Sequence, residues 1–299
     1  MDQTPGVPGP FEPRLVRRRK QRAAAAFRAG AFLHQRVAAD LAERLEAIPR
    51  PFPRVLTLGG GGLFRQAVRD RPDLAARIGH IIEADWASGD VLFDPERQPF
   101  AEAAFDLIVS PLLLHSVNDL PGAFIQIRRA LKPDGLMLAA LFGGETLKEL
   151  RLSLIEAESD LTGGAGPRVA PFADVQDIAG LLQRAGFALP AADRDLIVVR
   201  YREPMRLLAD LRAMGETAAL RARSPRALSR RILARAFAIY AERFADGDMR
   251  LRATFEVLTA TGWAPHESQQ KPLKPGSARM RLADALGVKE QSAGDKAGE

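Results

Sequence analysis

Four consecutive glycines, Gly59 to Gly62, follow directly on the apolar run Arg54-Val55-Leu56-Thr57-Leu58. Glycines there let the backbone pass close under a ligand, and a helix starting near Phe64 would turn its N-terminus toward it. Gly59, Gly60 and Gly61 are therefore candidate cofactor contacts. No Gly-Lys-Ser/Thr follows, so the loop is no P-loop, and a mononucleotide-type cofactor without a tightly held triphosphate fits better. Asp85 closes a second apolar run, His80-Ile81-Ile82-Glu83-Ala84. In nucleotide-binding sheets an acid here accepts from both ribose hydroxyls; otherwise it is a solvated strand-end carboxylate. Asp94, in Phe93-Asp94-Pro95-Glu96, would accept from an adenine amino group if it closes a third short strand, or is simply a turn residue before Pro95. His115 is the histidine placed for proton transfer, unless it only hydrogen-bonds at a helix start.

These residues need a scaffold that brings strand ends together. Leu107-Ile108-Val109-Ser110 and Leu136 to Leu141 are further apolar strands, with a helix from Leu120 to Leu131 and the turn Lys132-Pro133-Asp134-Gly135 between them. Strands alternating with helical stretches imply a parallel α/β sheet covered on both faces. Such a sheet binds its ligand beyond the carboxyl ends of its strands, which marks the positions around Leu58, Ala84, Ser110 and Leu141. Before the sheet, Leu15 to about Ile48 reads as one helix, stopped by Pro49, Pro51 and Pro53. After it, helices are expected over Thr146–Ser159, Asp174–Arg184, Pro204–Met214 and Pro225–Phe244. Strands are expected within Ala188–Tyr201 and over Met249–Trp263. Residues 1–13 read as a disordered Pro/Gly lead, 14–268 as a single domain and 269–299 as a mostly disordered tail.

Composition narrows the chemistry. The chain has 299 residues and no cysteine, which excludes disulfides, a thiol nucleophile, Fe–S clusters and thiolate zinc sites. Its four histidines are scattered, none at the spacing of a helix-borne metal motif, and no metal site is expected. No apolar stretch is long enough to span a membrane, and no secretory core follows Met1, so a cytoplasmic location is expected, or the mitochondrial matrix in a eukaryote. Residues 1–30 carry a net +5 of the formal +6. That basic arm reads as a solvated helix start, or as a segment for an acidic partner or membrane surface, and deleting residues 1–22 should leave the sheet folded. Nucleic acid ranks below these, since no set of stacking aromatics accompanies the charge.

The Gly-rich turn, Asp85, Phe105-Asp106-Leu107-Ile108-Val109-Ser110 and Leu131-Lys132-Pro133-Asp134-Gly135-Leu136 together resemble a class I S-adenosylmethionine-dependent methyltransferase. More specific are Phe32-Leu33-His34, Leu113-Leu114-His115-Ser116-Val117-Asn118-Asp119, Phe142-Gly143-Gly144-Glu145-Thr146-Leu147-Lys148 and Gly262-Trp263-Ala264-Pro265-His266. These resemble the branch of the mitochondrial complex I assembly factors of methyltransferase fold (arginine-hydroxylase-like) and the malonyl-carrier-protein methyltransferases of biotin synthesis. The resemblance implies a Rossmann-like, seven-stranded, mostly parallel sheet with its last strand antiparallel. It also implies S-adenosylmethionine over the first two strands, in contact with Thr57, Gly59, Gly60, Gly61, Asp85, Asp94 and Ser110, with His115 as catalytic residue. The substrate is expected to be a protein side chain or a small, carrier-linked carboxylic compound. Hydroxylation of an arginine, or a scaffold role without catalysis, are the alternatives. Thr57 stands where the family's glycine motif begins with an acid, and Leu63 where its third glycine belongs. Leu63 therefore either obstructs the cofactor or folds away beneath it. Only 19 residues, Trp86 to Ala104, separate Asp85 from the next strand. That is too few for a strand, a crossover helix and their loops, so one of these is shortened or absent. Glu145, Thr146 and Arg151 would line a substrate mouth, Arg151 offering its fork to a carboxylate, or would be a helix cap and a surface ion pair.

Overall fold

The computed structural model describes residues 9–224, 227–270, 284 and 287. Residues Met1–Pro265 form one compact unit and His266–Glu299 a second. In the second, residues 266–269 turn back on themselves, with His266 Nδ1 2.7 Å from Ser268 Oγ. Most of the expected lead and tail lies outside the described residues.

The first unit is built on a seven-stranded sheet in the order β3-β2-β1-β4-β5-β7-β6. The strands are β1 (Phe52–Leu58), β2 (Ile78–Asp85), β3 (Val91–Leu92), β4 (Phe105–Pro111), β5 (Leu131–Phe142), β6 (Ala188–Tyr201) and β7 (Leu251–Trp263). The first five pair in parallel, while β7 runs antiparallel to β5 and β6 antiparallel to β7. Successive side chains of a strand face opposite sides, which explains why the central strands are apolar throughout. Val55, Leu107 and Leu138 face one core layer, together with Leu41 and Leu45. Leu56, Leu58, Ile108 and Met137 face the other, with Phe124 and Ile178. Each fully buried leucine contributes roughly 1.5–3 kcal/mol, so both layers are needed to fix the strand register.

The long N-terminal helix is two helices, α1 (Pro13–Gly30) and α2 (Phe32–Glu46). The break falls at Ala31, whose φ −88° and ψ 48° are not helical. Gly30 beside it packs so close to α8 (Pro204–Ala213) that a Cβ there would come 2.5 Å from that of Ala213. The bend sends α1 across the carboxyl edge of the sheet. Leu15, Val16 and Ala23 are buried, so the basic arm is part of the fold rather than a free tail, and its deletion would strip core residues.

The remaining elements are α3 (Leu63–Arg69), α4 (Pro72–Ala75), α5 (Leu120–Ala130), α6 (Lys148–Thr162), α7 (Val175–Arg184) and α9 (Arg230–Phe244). The last starts five residues later than expected, where Ser229 Oγ accepts from Ile232 N at 3.2 Å; Pro225 lies outside the described residues. Lys132-Pro133-Asp134-Gly135 is not a separate turn but a bulge inside β5, with Asp134 at φ +61°. The shortage of residues between Asp85 and Phe105 is met as the spacing requires: β3 has two residues and no helix follows it. The chain crosses instead through a stack of Phe93, Phe100 and Phe105, and Gln126 of α5 ties it down, accepting from Gln98 N and donating to Glu96 O.

The Phe142–Arg151 string does structural work. Gly143 N and Glu145 N donate to the backbone and side chain of Glu256 on β7, at 2.9 and 2.8 Å. Thr146 Oγ1 bonds the backbone of the same residue in both directions, so Thr146 is not a helix cap. The N-cap position of α6 is Leu147, at φ +55°. Arg151 Nη2 donates to both the Gly144 and Thr146 carbonyls, at 2.7 and 3.0 Å, and its Nε is buried without a partner among the described residues.

Candidate active site

The carboxyl ends of β1 and β2 open into a cavity of about 250 Å³. Gly60, Gly61 and Asp85 form its floor, and Lys20, Phe27 and Arg28 of α1 its roof. Gly60 and Gly61 adopt φ +78° and +54°, a region open to glycine at no steric cost. A Cβ on Gly60 would meet Pro111 at 2.5 Å, and one on Gly61 the Phe27 ring at 2.8 Å. The glycines thus admit α1 and the end of β4. Gly59, at φ +82°, sits just beneath, its N donating to Ala84 O at 2.8 Å. Asp85 Oδ1 accepts from Trp86 N at 2.5 Å. Burial pushes its carboxyl above the ordinary range, against the pull of the Lys20 ammonium. A half-buried carboxylate on a strand end, with acceptor capacity left over, suits a pair of vicinal hydroxyls.

A second cavity, about 200 Å³ and mostly apolar, lies on the other side of Lys20. Leu147, Leu150, Phe172 and Leu211 line it, with His115 and Glu216 in its wall. Lys20 borders both cavities. Its Nζ stands 2.5 Å from Glu216 Oε1, with the two side chains only 10% and 11% exposed. His115, in a single 3-10 turn (Leu114–Ser116) after β4, places Nε2 3.0 Å from Glu216 Oε2. His34, buried on α2, places Nε2 3.4 Å from Glu216 Oε1. Burial would raise the Glu216 carboxyl, but Lys20 and His115 overcome that and hold it well below the usual carboxylate range. Burial lowers His34 to about 4, so it is neutral at pH 7, edge-on to Phe27 with ring centroids 4.8 Å apart. With Nε2–H donating to Glu216, His115 keeps Nδ1 as a proton acceptor. That atom has no hydrogen-bond partner in the fold, and the ring packs on Phe142 at 4.7 Å.

The structure gathers Gly60, Gly61 and Asp85 at the first cavity, with Gly59 under them, and sets His115 in the wall of the second. Thr57 and Ser110 lie below the floor, fully buried, their hydroxyls without partners. Asp94 belongs elsewhere. Its Oδ1 accepts from Glu96 N at 3.0 Å in a turn, and its surface cleft is shared with Arg14 and Trp86 rather than Asp85; β3 ends two residues too early for Asp94 to close it. Leu63 does not obstruct the cavity: it starts α3 and joins the core, 5% exposed, beside Phe64. Sequence reasoning missed Lys20, Glu216 and the role of His34. Lys20 was hidden in a run of like charges, and Glu216 sits in a loop, bearing no motif.

A methyltransferase-domain family matches residues 76–139. The human mitochondrial arginine-hydroxylase NDUFAF5 is 39% identical over 267 residues, covering 85% of this chain and 76% of that protein. The malonyl-[acyl-carrier protein] O-methyltransferase of Xylella fastidiosa is 32% identical over 271 residues, covering 86% and 90%; that of Halorhodospira halophila is 32% identical over 300 residues, covering 96% and 99%. A sheet ordered 3-2-1-4-5-7-6, glycines and an acid at the ends of its first two strands, and identity sustained over most of both chains place the protein in the class I S-adenosylmethionine-dependent methyltransferase family, in the branch shared by NDUFAF5 and the malonyl-carrier methyltransferases.

Proposed function

We propose that the chain transfers the methyl group of S-adenosylmethionine to an acceptor lodged in the apolar cavity. The observation that carries this reading is the half-buried Asp85 facing the Gly60–Gly61 turn across one cavity. Asp85 would accept from the ribose hydroxyls and the glycine turn would let the backbone approach. Lys20, Phe27 and Arg28 would cover the bound molecule. The cofactor supplies an electrophilic methyl group; the protein has only to hold the acceptor in line with it and exclude water, which positioning alone achieves. His115 takes the proton when the acceptor is an O–H or N–H group, with Glu216 fixing its tautomer. The malonyl-carrier relatives suggest an acceptor tethered to a carrier protein, and the apolar lining suits its chain. The NDUFAF5 relatives, which are mitochondrial, are the more similar by sequence, and favour a second reading in which an arginine side chain of a protein is hydroxylated.

Calorimetry of the full chain with S-adenosylmethionine and S-adenosylhomocysteine tests the cofactor assignment. Asp85→Ala should weaken binding roughly ten- to hundredfold, the loss of about 1.5–3 kcal/mol of charge-assisted hydrogen bonding, and leave the melting temperature of the free protein nearly unchanged. Equal affinity in parent and variant would refute the assignment. Mass spectrometry of a modified acceptor separates methylation from hydroxylation.

A further inference from the structure

Cations collect at the margin of the apolar cavity. Arg19 of α1 stands between two clefts that flank its mouth. One is lined by Arg19, Arg22, Arg212 and Thr217, the other by Arg19, Arg168, Arg223 and Ala218 among its residues. Arg212, Thr217, Arg168 and Ala218 also line the cavity itself, so both clefts border it. Arg168 is paired with Glu158, and Arg223 with Glu12 at 2.9 Å. Among the described residues Arg19, Arg22 and Arg212 have no ion-pair partner. Burial, then repulsion from Arg223, Arg18 and Arg22, holds the Arg19 guanidinium below its ordinary value. The cluster is assembled from four separate parts of the chain against its own repulsion, and a cleft lined by one sign of charge concentrates the opposite ion.

We propose that Arg19, Arg22 and Arg212, which share one cleft, form a binding site for a phosphate group carried on an apolar chain, the chain entering the cavity beside it. Phosphate fits better than carboxylate. The guanidinium groups of this cleft come from successive turns of α1 and from the end of α8, so the anion must offer oxygens in several directions. A tetrahedral phosphate does so; a carboxylate offers two oxygens in one plane. The inference rests on the apolar cavity being the acceptor cavity.

Binding of octyl phosphate, 1-octanol and inorganic phosphate to the full chain, each without cofactor, is the test. Octyl phosphate should bind at least tenfold tighter than either other probe, and its affinity should fall as salt rises. Arg19→Gln should lose at least tenfold for octyl phosphate, with an unchanged or higher melting temperature because it relieves repulsion, and with S-adenosylmethionine affinity like the parent's. Octyl phosphate binding no tighter than octanol, or equally tight in Arg19→Gln, would overturn the proposal. Binding only to phosphatidic acid vesicles and not to monomeric octyl phosphate would overturn it too, by assigning the arginines to a lipid surface. A parent that binds octyl phosphate but not S-adenosylmethionine would sink the methyltransferase reading alone.

Discussion

Replacing Glu216 with glutamine keeps its shape and removes the charge on which Lys20, His115 and His34 converge. The Lys20 ammonium, 2.5 Å from that carboxylate and 10% exposed, would be left facing an amide and two imidazoles. Breaking a buried pair by removing one partner costs about 3–5 kcal/mol. Because both side chains retain some access to water and Asp85 lies close enough to attract Lys20, the lower end, about 3 kcal/mol, applies. In a domain of this size each kcal/mol moves the midpoint by about 2–4 °C, so thermal unfolding should shift down by about 6–12 °C. Lys20→Met alone should also destabilise, by leaving Glu216 buried without its cation. The two changes together should cost less than their sum, since an apolar side chain in place of a buried pair is often nearly neutral. Calorimetric melting of all four proteins at pH 7 closes the cycle. Additive losses, or a Glu216→Gln form melting with the parent, would show that the ion pair does not hold α1 to the loop after α8.

Two further outcomes follow from the same packing. His34 is neutral in the fold, with its value lowered to about 4 from 6.5, so the unfolded chain takes up a proton the native state refuses. Stability should fall as pH drops from 6.5 toward 4, by about 3 kcal/mol in full, whereas the depressed Glu216 adds its loss only below its unfolded value of 4.5. Urea unfolding between pH 7 and 5 should show this slope in the parent and a flatter one in His34→Gln; identical slopes would contradict it. Leu63→Gly should cost about 2–5 kcal/mol for the core cavity and about 1 kcal/mol for backbone freedom, without tightening S-adenosylmethionine. Tighter binding in the variant would mean that Leu63 stands in the cofactor's way after all.

The sequence by itself determined the sheet and the floor of the site. Strands buried on both faces must be apolar along most of their length, so β1, β4 and β5 stand out without any partner in view, and the half-buried β2 is marked by its Ile81-Ile82 core. A glycine run and an acid at the ends of the first two are local features that survive any choice of packing. Even the missing crossover helix was a matter of counting residues. Only the tertiary structure decided what covers that floor. The N-terminal helix bends at Ala31, where Gly30 beside it lacks the Cβ for which Ala213, distant in sequence, leaves no room, and the bend turns a run of like charges into a roof that drops Lys20 between two cavities. Glu216 becomes the centre of a buried charge cluster because α1, α2, the 3-10 turn after β4 and the loop after α8 converge there. No spacing records this, since a contact between residues 101 or 196 positions apart leaves no period in the chain. Asp94 shows the converse: local pattern offered a strand end or a turn, and the two-residue β3, stopping short of it, made it a turn.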